Sequence, residues 1–139
     1  MKPIEGIYEC YGHNKTRLRY HIILITKYKR ECLEPIKNKV LDAFKYTEEH
    51  SDIKIHYMNT DKDHIHLLIS FPPKYSISQT INRLKQCSTN YLYHECYDYL
   101  KHFYWRKKKM LWSDSYFCST IGMISESKVS EYIKNRGSI

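Results

Sequence analysis

The sequence contains no apolar run long enough to cross a membrane, and its first residues lack the apolar segment of a signal peptide. Its five cysteines are an odd number and include no Cys-x-x-Cys pair. This argues against a disulfide framework and against a finger-like zinc site, and it is typical of a reducing cytosol. There is also no internal repeat and no low-complexity linker. We therefore expect a cytoplasmic protein with no membrane partner.

Basic residues, by contrast, are in excess. The 139 residues include 23 lysines and arginines against 15 aspartates and glutamates, so the formal net charge is +8. An excess of this size favours an anionic partner, and nucleic acid is the most common one. The 14 tyrosines favour the same partner, because aromatic rings among basic residues suit stacking on bases. The alternative is a basic protein whose tyrosines simply fill its core and surface.

The hydrophobic pattern predicts seven elements in the order β-α-β-β-α-β-α. Strands are predicted over 20–26, 53–58, 64–71 and 116–121, and helices from Glu34-Pro35, after the capping box of Ser76 and Gln79, and after Ser125 or Ser127. The first six elements give an α+β fold, the ferredoxin-like or RRM-like βαββαβ sandwich, with two helices on one face of an antiparallel sheet. We expect one domain over 1–139, with a basic arm at 1–18 and a closing helix at 125–136.

The pattern of greatest interest lies in residues 60–71, where a turn leads into a very apolar strand. His64 and His66 are separated by one residue, so on a strand their side chains point to the same face. Neutral imidazole is a common metal ligand, and two imidazoles need one or two further ligands. This strand is expected at the centre of the sheet, with the face away from the helices free for a site. Two hydrogen-bonded surface histidines are the alternative.

Three basic sets are candidates for contacts with a nucleic-acid backbone. Aromatic residues accompany the first and third sets, and the third is the strongest candidate. Solvated strand ends and loops are the alternative for each. The sets are Lys27, Tyr28, Lys29 and Arg30 after the first strand; Arg83 and Lys85 on the second helix; and Arg106, Lys107, Lys108 and Lys109 beside Tyr104, Trp105 and Trp112.

Four segments, taken in order, resemble the single-tyrosine HUH transposases of small insertion sequences, the IS200-like family. His-x-His alone would be a weak signal, but the four segments at these separations are specific. The resemblance extends from about residue 20 to residue 136. The segments are 20–22 with 27–30; the HUH signature within 60–66; 111–112 with 115–117 and 119–120; and 132–135.

The resemblance implies an enzyme that binds hairpins at the ends of its element and cuts and rejoins single-stranded DNA. Tyr132 would attack the scissile phosphate and leave a 5′-phosphotyrosine and a free 3′-OH, while His64 and His66 would hold Mg²⁺ or Mn²⁺. Family members are homodimers in which the tyrosine helix can complete the partner's site. A phenol with a pKa of about 10 is a poor nucleophile, so metal assistance suits the chemistry. By its pattern alone, Tyr132 would be a core tyrosine beside Val129 and Ile133.

The sequence departs from the family pattern at Arg136, where the family has a glutamine that completes the metal site. A guanidinium has no acceptor and stays protonated, so it cannot ligate a cation. Arg136 could instead grip the scissile phosphate or face solvent, or the enzyme could be weakened or inactive. We expect weaker metal binding with both histidines retained. The remaining candidates for a third ligand are Asp61, Asp63, Glu131 and Asn135.

Three other functions fit parts of this pattern. HUH replication and mobilisation nucleases share the fold and the chemistry, but they are usually longer and often carry a third histidine in the motif. A domesticated relative would still bind DNA hairpins but would not cleave DNA. An RNA-binding RRM shares the fold, but its aromatic strand signatures are absent from the predicted strands. When bound to DNA, a transposase of this kind would associate with the nucleoid.

Overall fold

A four-stranded antiparallel sheet with helices on one face makes up most of the structure. The computed structural model describes residues 9–11, 14–16, 18–104 and 108–121. The elements are β1 (Glu9–Tyr11), β2 (Asn14–Thr16), β3 (Arg19–Thr26), α1 (Lys37–Glu49), β4 (Lys54–Thr60), β5 (His64–Ser70), α2 (Ile77–Glu95), α3 (Tyr97–Leu100) and β6 (Trp112–Ile121).

The order of the strands in the sheet is β4-β5-β3-β6, and all neighbours are antiparallel. The strand β5 therefore lies at the centre, hydrogen-bonded to β4 on one side and to β3 on the other. This arrangement confirms the predicted α+β sandwich and the central position of the histidine strand. A three-residue turn over 61–63 joins β4 to β5, as expected for a hairpin.

The alternation along β5 separates the two faces of the sheet. Ile65, Leu67 and Ile69 are fully buried and belong to the core that the sheet forms with α1 and α2. His64, His66 and Leu68 alternate with them and so point to the opposite face. Leu68 packs in a separate small cluster, against Tyr57 and Ile121. We call this side, which the core helices do not cover, the open face.

Both core helices begin close to the positions that the sequence indicates. At the start of α2 the Gln79 backbone N–H donates to Ser76 Oγ (3.0 Å), and the Ser76 N–H donates to Gln79 Oε1 (2.8 Å). These two bonds form the predicted capping box and satisfy two N–H groups at the helix end. The first helix starts with a 3₁₀ turn over Glu34–Ile36, which contains Pro35, and continues as α1.

The last described strand starts four residues earlier than predicted, at Trp112 rather than Tyr116. Trp112 is buried, its ring packs on Phe44, and its indole N–H donates to Ser88 Oγ (2.9 Å). The pairing of Trp112 with Thr26 then extends β6 beyond the predicted boundary. These contacts join segments that are distant in the chain, so local sequence preference does not reveal them.

One further difference concerns the start of the chain. β1 and β2 pair as a short antiparallel hairpin inside the segment predicted as an arm. The predicted closing helix at 125–136, with Tyr132, Glu131, Asn135 and Arg136, lies outside the described residues.

Among the helices of the described part, none has the length and apolarity to cross a membrane.

Candidate active site

His64 and His66 lie side by side on the open face of the central strand. Their ring centroids are 4.9 Å apart and the rings are nearly perpendicular, at 77°. His66 is buried, with 2% of its surface exposed, whereas His64 is partly exposed. The strand alternation predicted this shared face. The role of the two side chains as metal ligands stays a prediction.

In each of these rings the Nδ1 atom already has a partner. His64 Nδ1 lies 2.7 Å from Asp63 Oδ1 and donates to that carboxylate. His66 Nδ1 lies 3.3 Å from Nε2 of His21 on β3. Histidines that bind metals commonly use one ring nitrogen for the ion and the other for such a hydrogen bond. Nε2 is therefore the nitrogen that each ring would offer to an ion.

Of the two predicted aspartate candidates, Asp61 is the better placed to complete a metal site. Asp61 Oδ2 is buried, accepts no hydrogen bond from the described residues, and lies 3.9 Å from His64 Nε2. One ion bound to both atoms at about 2.1 Å could span that distance. Asp63, in contrast, is committed to His64 Nδ1.

The donor set of two imidazole nitrogens and one carboxylate oxygen fits a divalent ion, and nitrogen ligands suit Mn²⁺ better than the oxygen-preferring Mg²⁺. Within residues 18–104 and 108–121, no three His, Cys, Asp or Glu side chains already stand in the arrangement of a metal site. Binding would therefore require small adjustments of the rings or of Asp61.

His21 is a member of this cluster that the sequence pattern did not identify. It is 4% exposed, and its ring lies parallel to that of His66, with centroids 5.6 Å apart and an angle of 21°. The Phe117 ring from β6 packs against it on the other side in a T-shaped arrangement. The alternation along β3 puts residue 21 on one face with 23 and 25, but only the register between β3 and β5 brings it to His66.

A second feature is a groove of about 800 Å³ between α2, the end of β3 and the segment before β6. We call it the cationic groove and define it by five of its lining residues. These are Lys27, Tyr28, Lys85, Lys108 and Lys109. The structure thus brings together members of all three basic sets that the sequence analysis proposed for nucleic-acid contact.

The other predicted DNA contacts are not lining residues of this groove. Arg83 donates to the His50 carbonyl (2.9 Å) and lines a separate cavity of about 480 Å³. Arg30 lies near Tyr28 at the rim, and Lys29 is exposed beside it. Arg106 and Lys107 lie outside the described residues.

Lys85 lies partly buried in the wall of the groove. Lys85 Nζ donates to the Ser113 carbonyl (2.8 Å) and lies 5.3 Å from the centroid of the Tyr116 ring. Partial burial lowers the pKa of Lys85, and the charge of Lys27 lowers it further, while Asp114 opposes both. A bound anion would reduce this repulsion between cations.

Tyr28 is held at the mouth of the groove in an unusual backbone conformation. Tyr28 and Lys29 have φ values of 60° and 53°, in the left-handed region, which costs a non-glycine residue about 1–3 kcal/mol. Hydrogen bonds fix the turn: the Lys27 N–H donates to Leu111 O (2.7 Å) and the Tyr104 hydroxyl to Lys27 O (2.7 Å). The result is a tyrosine ring that is 60% exposed.

The ring of Tyr28 is flanked by cations and lies near the turn that precedes the histidines. Lys27 Nζ and the Arg30 guanidinium lie 5.9 and 5.8 Å from its centroid. An exposed aromatic ring between cations suits stacking on a nucleic-acid base. The Thr26 N–H, just before this turn, donates to Asp63 O (2.8 Å), so the groove and the histidine pair share one end of the sheet.

Cys32 and Tyr57 are two conceivable alternatives to Tyr132 as the nucleophile, and both are poor candidates. Burial raises the pKa of the Cys32 thiol to about 11, so it stays protonated at neutral pH. Tyr57 lies on the open face, and burial raises its pKa as well. The predicted nucleophile, Tyr132, is outside the described residues.

Comparisons with known proteins identify the family of the chain. A family model described as "Transposase IS200 like" matches residues 14–136. The chain is 30% identical over 126 residues to the transposase of insertion sequence IS200 from Salmonella typhimurium, covering 90% of this chain and 80% of that protein. It is 26% identical over 121 residues to the ISDra2 transposase TnpA of Deinococcus radiodurans, covering 86% and 84%.

Two solved structures share the fold. One is a protein from Deinococcus radiodurans assigned as a transposase, with a TM-score of 0.69 and 23% identity over 92% of this chain and 96% of that one. The other is a REP-associated tyrosine transposase bound to a REP hairpin, with a TM-score of 0.53 and 11% identity over 84% of this chain and 61% of that one. Because the family model covers most of the sequence, the chain belongs to the IS200-like transposase family.

Proposed function

We propose that this protein binds DNA hairpins at the ends of an insertion sequence and cleaves and rejoins single-stranded DNA. Tyr132 is the nucleophile, and His64 and His66 hold a divalent ion. The observation that best supports this function is the pair of histidines on the open face, each with its Nδ1 atom engaged by a neighbouring side chain, an arrangement that would direct Nε2 of each ring to an ion.

The reaction exchanges one phosphodiester for another. The phenol oxygen of Tyr132 forms a bond to phosphorus, the bond from phosphorus to the 3′ oxygen breaks, and a proton from the phenol balances the new 3′-OH. In the second step a 3′-OH attacks a phosphotyrosine and releases the phenol. No ATP is needed because each step conserves a phosphate ester.

The residues proposed to hold the ion are His64, His66 and Asp61. When bound, the ion would act as a Lewis acid and stabilise charge that develops on the phosphate oxygens. The Asp63 carboxylate fixes the orientation of the His64 ring through its 2.7 Å contact. His66 itself is almost fully buried, so its ring has little freedom to move.

The proposed substrate is single-stranded DNA with hairpin ends, and the proposed assembly is a homodimer. A relative of the same fold has been solved with a REP hairpin. In this chain the cationic groove offers four lysines to the DNA backbone and Tyr28 to a base. We place the DNA across both features because the groove and the histidine pair lie at the same end of the sheet.

Replacing Lys108 and Lys109 with glutamine is expected to weaken hairpin binding and to flatten its salt dependence. For every phosphate that the protein no longer neutralises, the slope of log K against log salt should fall by up to about 0.7–0.9, because fewer counterions are released. The measurement is the Kd for a labelled hairpin at several salt concentrations.

The matched control removes the same charge from the exposed surface of α1 by replacing Lys37 and Lys45 with glutamine. This variant should keep the slope of the wild type. If both double variants lower the slope equally, the effect reflects net charge and the groove is not the DNA site.

The proposed function is tested by scoring hairpin binding and cleavage in the same samples across a Mn²⁺ titration, with the wild type and Arg136→Gln. We expect the wild type to bind and cleave, and Arg136→Gln to need less Mn²⁺ for half-maximal cleavage. The reason is that an amide oxygen can ligate the ion and a guanidinium cannot.

Two results would contradict these expectations. Binding without cleavage at every Mn²⁺ concentration, in both proteins, would identify a hairpin-binding relative that has lost its nuclease activity; Arg136 is the observation that favours this second candidate. Loss of cleavage only in Arg136→Gln would show that Arg136 acts on the phosphate, contrary to the expected metal dependence.

A further inference from the structure

His21 contacts one of the two proposed metal ligands from the neighbouring strand. Its Nε2 lies 3.3 Å from His66 Nδ1, and both residues are almost fully buried. The sequence places the two residues 45 positions apart. The contact therefore depends on the fold and not on the His-x-His motif itself.

The sheet fixes the position of His21 relative to His66. His21 pairs with Leu68, and His66 pairs with Ile23, so the two histidines are diagonal neighbours on the open face. Phe117 on β6 packs its ring against the other side of the His21 ring, with centroids 5.6 Å apart and an angle of 68°. The imidazole is therefore held between two strands.

The hydrogen bond between His66 Nδ1 and His21 Nε2 determines which nitrogen of each neutral ring carries the proton. A hydrogen bond between two imidazole nitrogens requires one donor and one acceptor. If His66 is to bind an ion through Nε2, its proton must reside on Nδ1. His66 Nδ1–H then donates to His21 Nε2, and His21 carries its own proton on Nδ1. Asp63 accepts from His64 Nδ1 in the equivalent way.

We propose that His21 is a positioning residue for the metal site. By accepting a hydrogen bond from His66 Nδ1, it selects the tautomer of His66 whose Nε2 lone pair is available to the ion, and it fixes the plane of the ring. This role rests on the proposed function, in which His66 binds a divalent ion. The two proposed ligands thus use different acceptors, a carboxylate for His64 and a neutral imidazole for His66.

The test is Mn²⁺ binding to the whole metal-free chain, followed at one pH by the electron paramagnetic resonance signal of free Mn²⁺. The variants are His21→Phe, which removes the acceptor, and His21→Gln, which can replace it with an amide oxygen. We expect His21→Phe to weaken Mn²⁺ binding by about 10- to 100-fold and His21→Gln to retain most of the affinity.

Two controls separate this role from a general effect on the sheet. His56→Phe alters a histidine on β4 whose Nε2 bonds to Ser70 Oγ (2.7 Å) rather than to a proposed ligand, and it should bind Mn²⁺ as the wild type does. His64→Ala should lose Mn²⁺ binding. Equal weakening in His21→Phe and His21→Gln would contradict the hydrogen-bond role.

A second readout needs no variant and so does not depend on how a variant folds. The ¹⁵N resonances of His66 in the metal-free wild type report its tautomer, and we expect the proton on Nδ1. A proton on Nε2 would overturn the role of His21.

The outcomes distinguish the two proposals. If the wild type binds Mn²⁺ and His64→Ala does not, but His21→Phe binds as tightly as the wild type, the metal site stands and the role of His21 is wrong. If the wild type binds no Mn²⁺, the proposed metal site is refuted, and the proposed role of His21 is refuted as well.

Discussion

Tyr132→Phe is expected to abolish the covalent protein–DNA adduct while leaving hairpin affinity close to that of the wild type. The substitution removes only the hydroxyl group, which the proposed reaction uses as its nucleophile. Because the protein becomes joined to the 5′ end created by cleavage, a label at the 3′ end of the DNA should migrate with the protein in SDS. A label at the 5′ end should appear in the free product.

Tyr57→Phe is the matched control for this experiment. Tyr57 lies on the open face, beside Leu68, and burial raises its pKa, so it is not expected to attack the phosphate. This variant should form the adduct as the wild type does. An SDS-resistant adduct that persists in Tyr132→Phe would refute the assignment of the nucleophile.

His64→Ala or His66→Ala is expected to reduce cleavage to the background level, and chelation of the metal should have the same effect on the wild type. Removal of one imidazole leaves the ion with too few ligands to be held at working concentrations. Hairpin binding should survive, because the cationic groove uses other residues. Mn²⁺ added after EDTA should restore cleavage in the wild type and not in the variants.

His64→Ala is the more informative of the two, since His64 is partly exposed and its loss disturbs the sheet less than the loss of buried His66. His94→Ala, at an exposed position near the end of α2, is a suitable control and should cleave normally. Cleavage that continues undiminished in EDTA would show that the histidine pair has no metal-dependent role.

Much of the fold follows from local pattern. The alternation of β5 separates Ile65, Leu67 and Ile69 from His64 and His66, and this predicts both the core and the face of the site. The capping box of Ser76 and Gln79 defines the start of α2. Both are short-range properties, set by strand and helix geometry, and they do not require knowledge of the partner segments.

The parts that the sequence did not reveal depend on contacts between distant segments. His21 reaches His66 only through the register between β3 and β5. Arg83 and Lys85 were predicted as one DNA-contacting set, and the structure separates them because Arg83 instead donates to the His50 carbonyl at the end of α1. Only Lys85 lines the cationic groove.

The turn at Tyr28 illustrates a third limit of sequence reasoning. A left-handed backbone conformation is normally expected at glycine or asparagine. The residues that adopt it here are a tyrosine and a lysine, Tyr28 and Lys29, so the sequence gives no signal for the turn. Its conformation is fixed by hydrogen bonds to Leu111 and Tyr104, from another part of the chain.

The central claim is that DNA cleavage proceeds through a covalent bond to Tyr132, and mass spectrometry of the adduct tests it most directly. After the reaction with a single-stranded hairpin substrate, nuclease and trypsin should leave nucleotides on the peptide 129–134, which contains one tyrosine. Fragmentation should locate the phosphate on Tyr132. A nucleotide on any of the other tyrosines, or cut DNA with no modified peptide, would contradict the proposed mechanism.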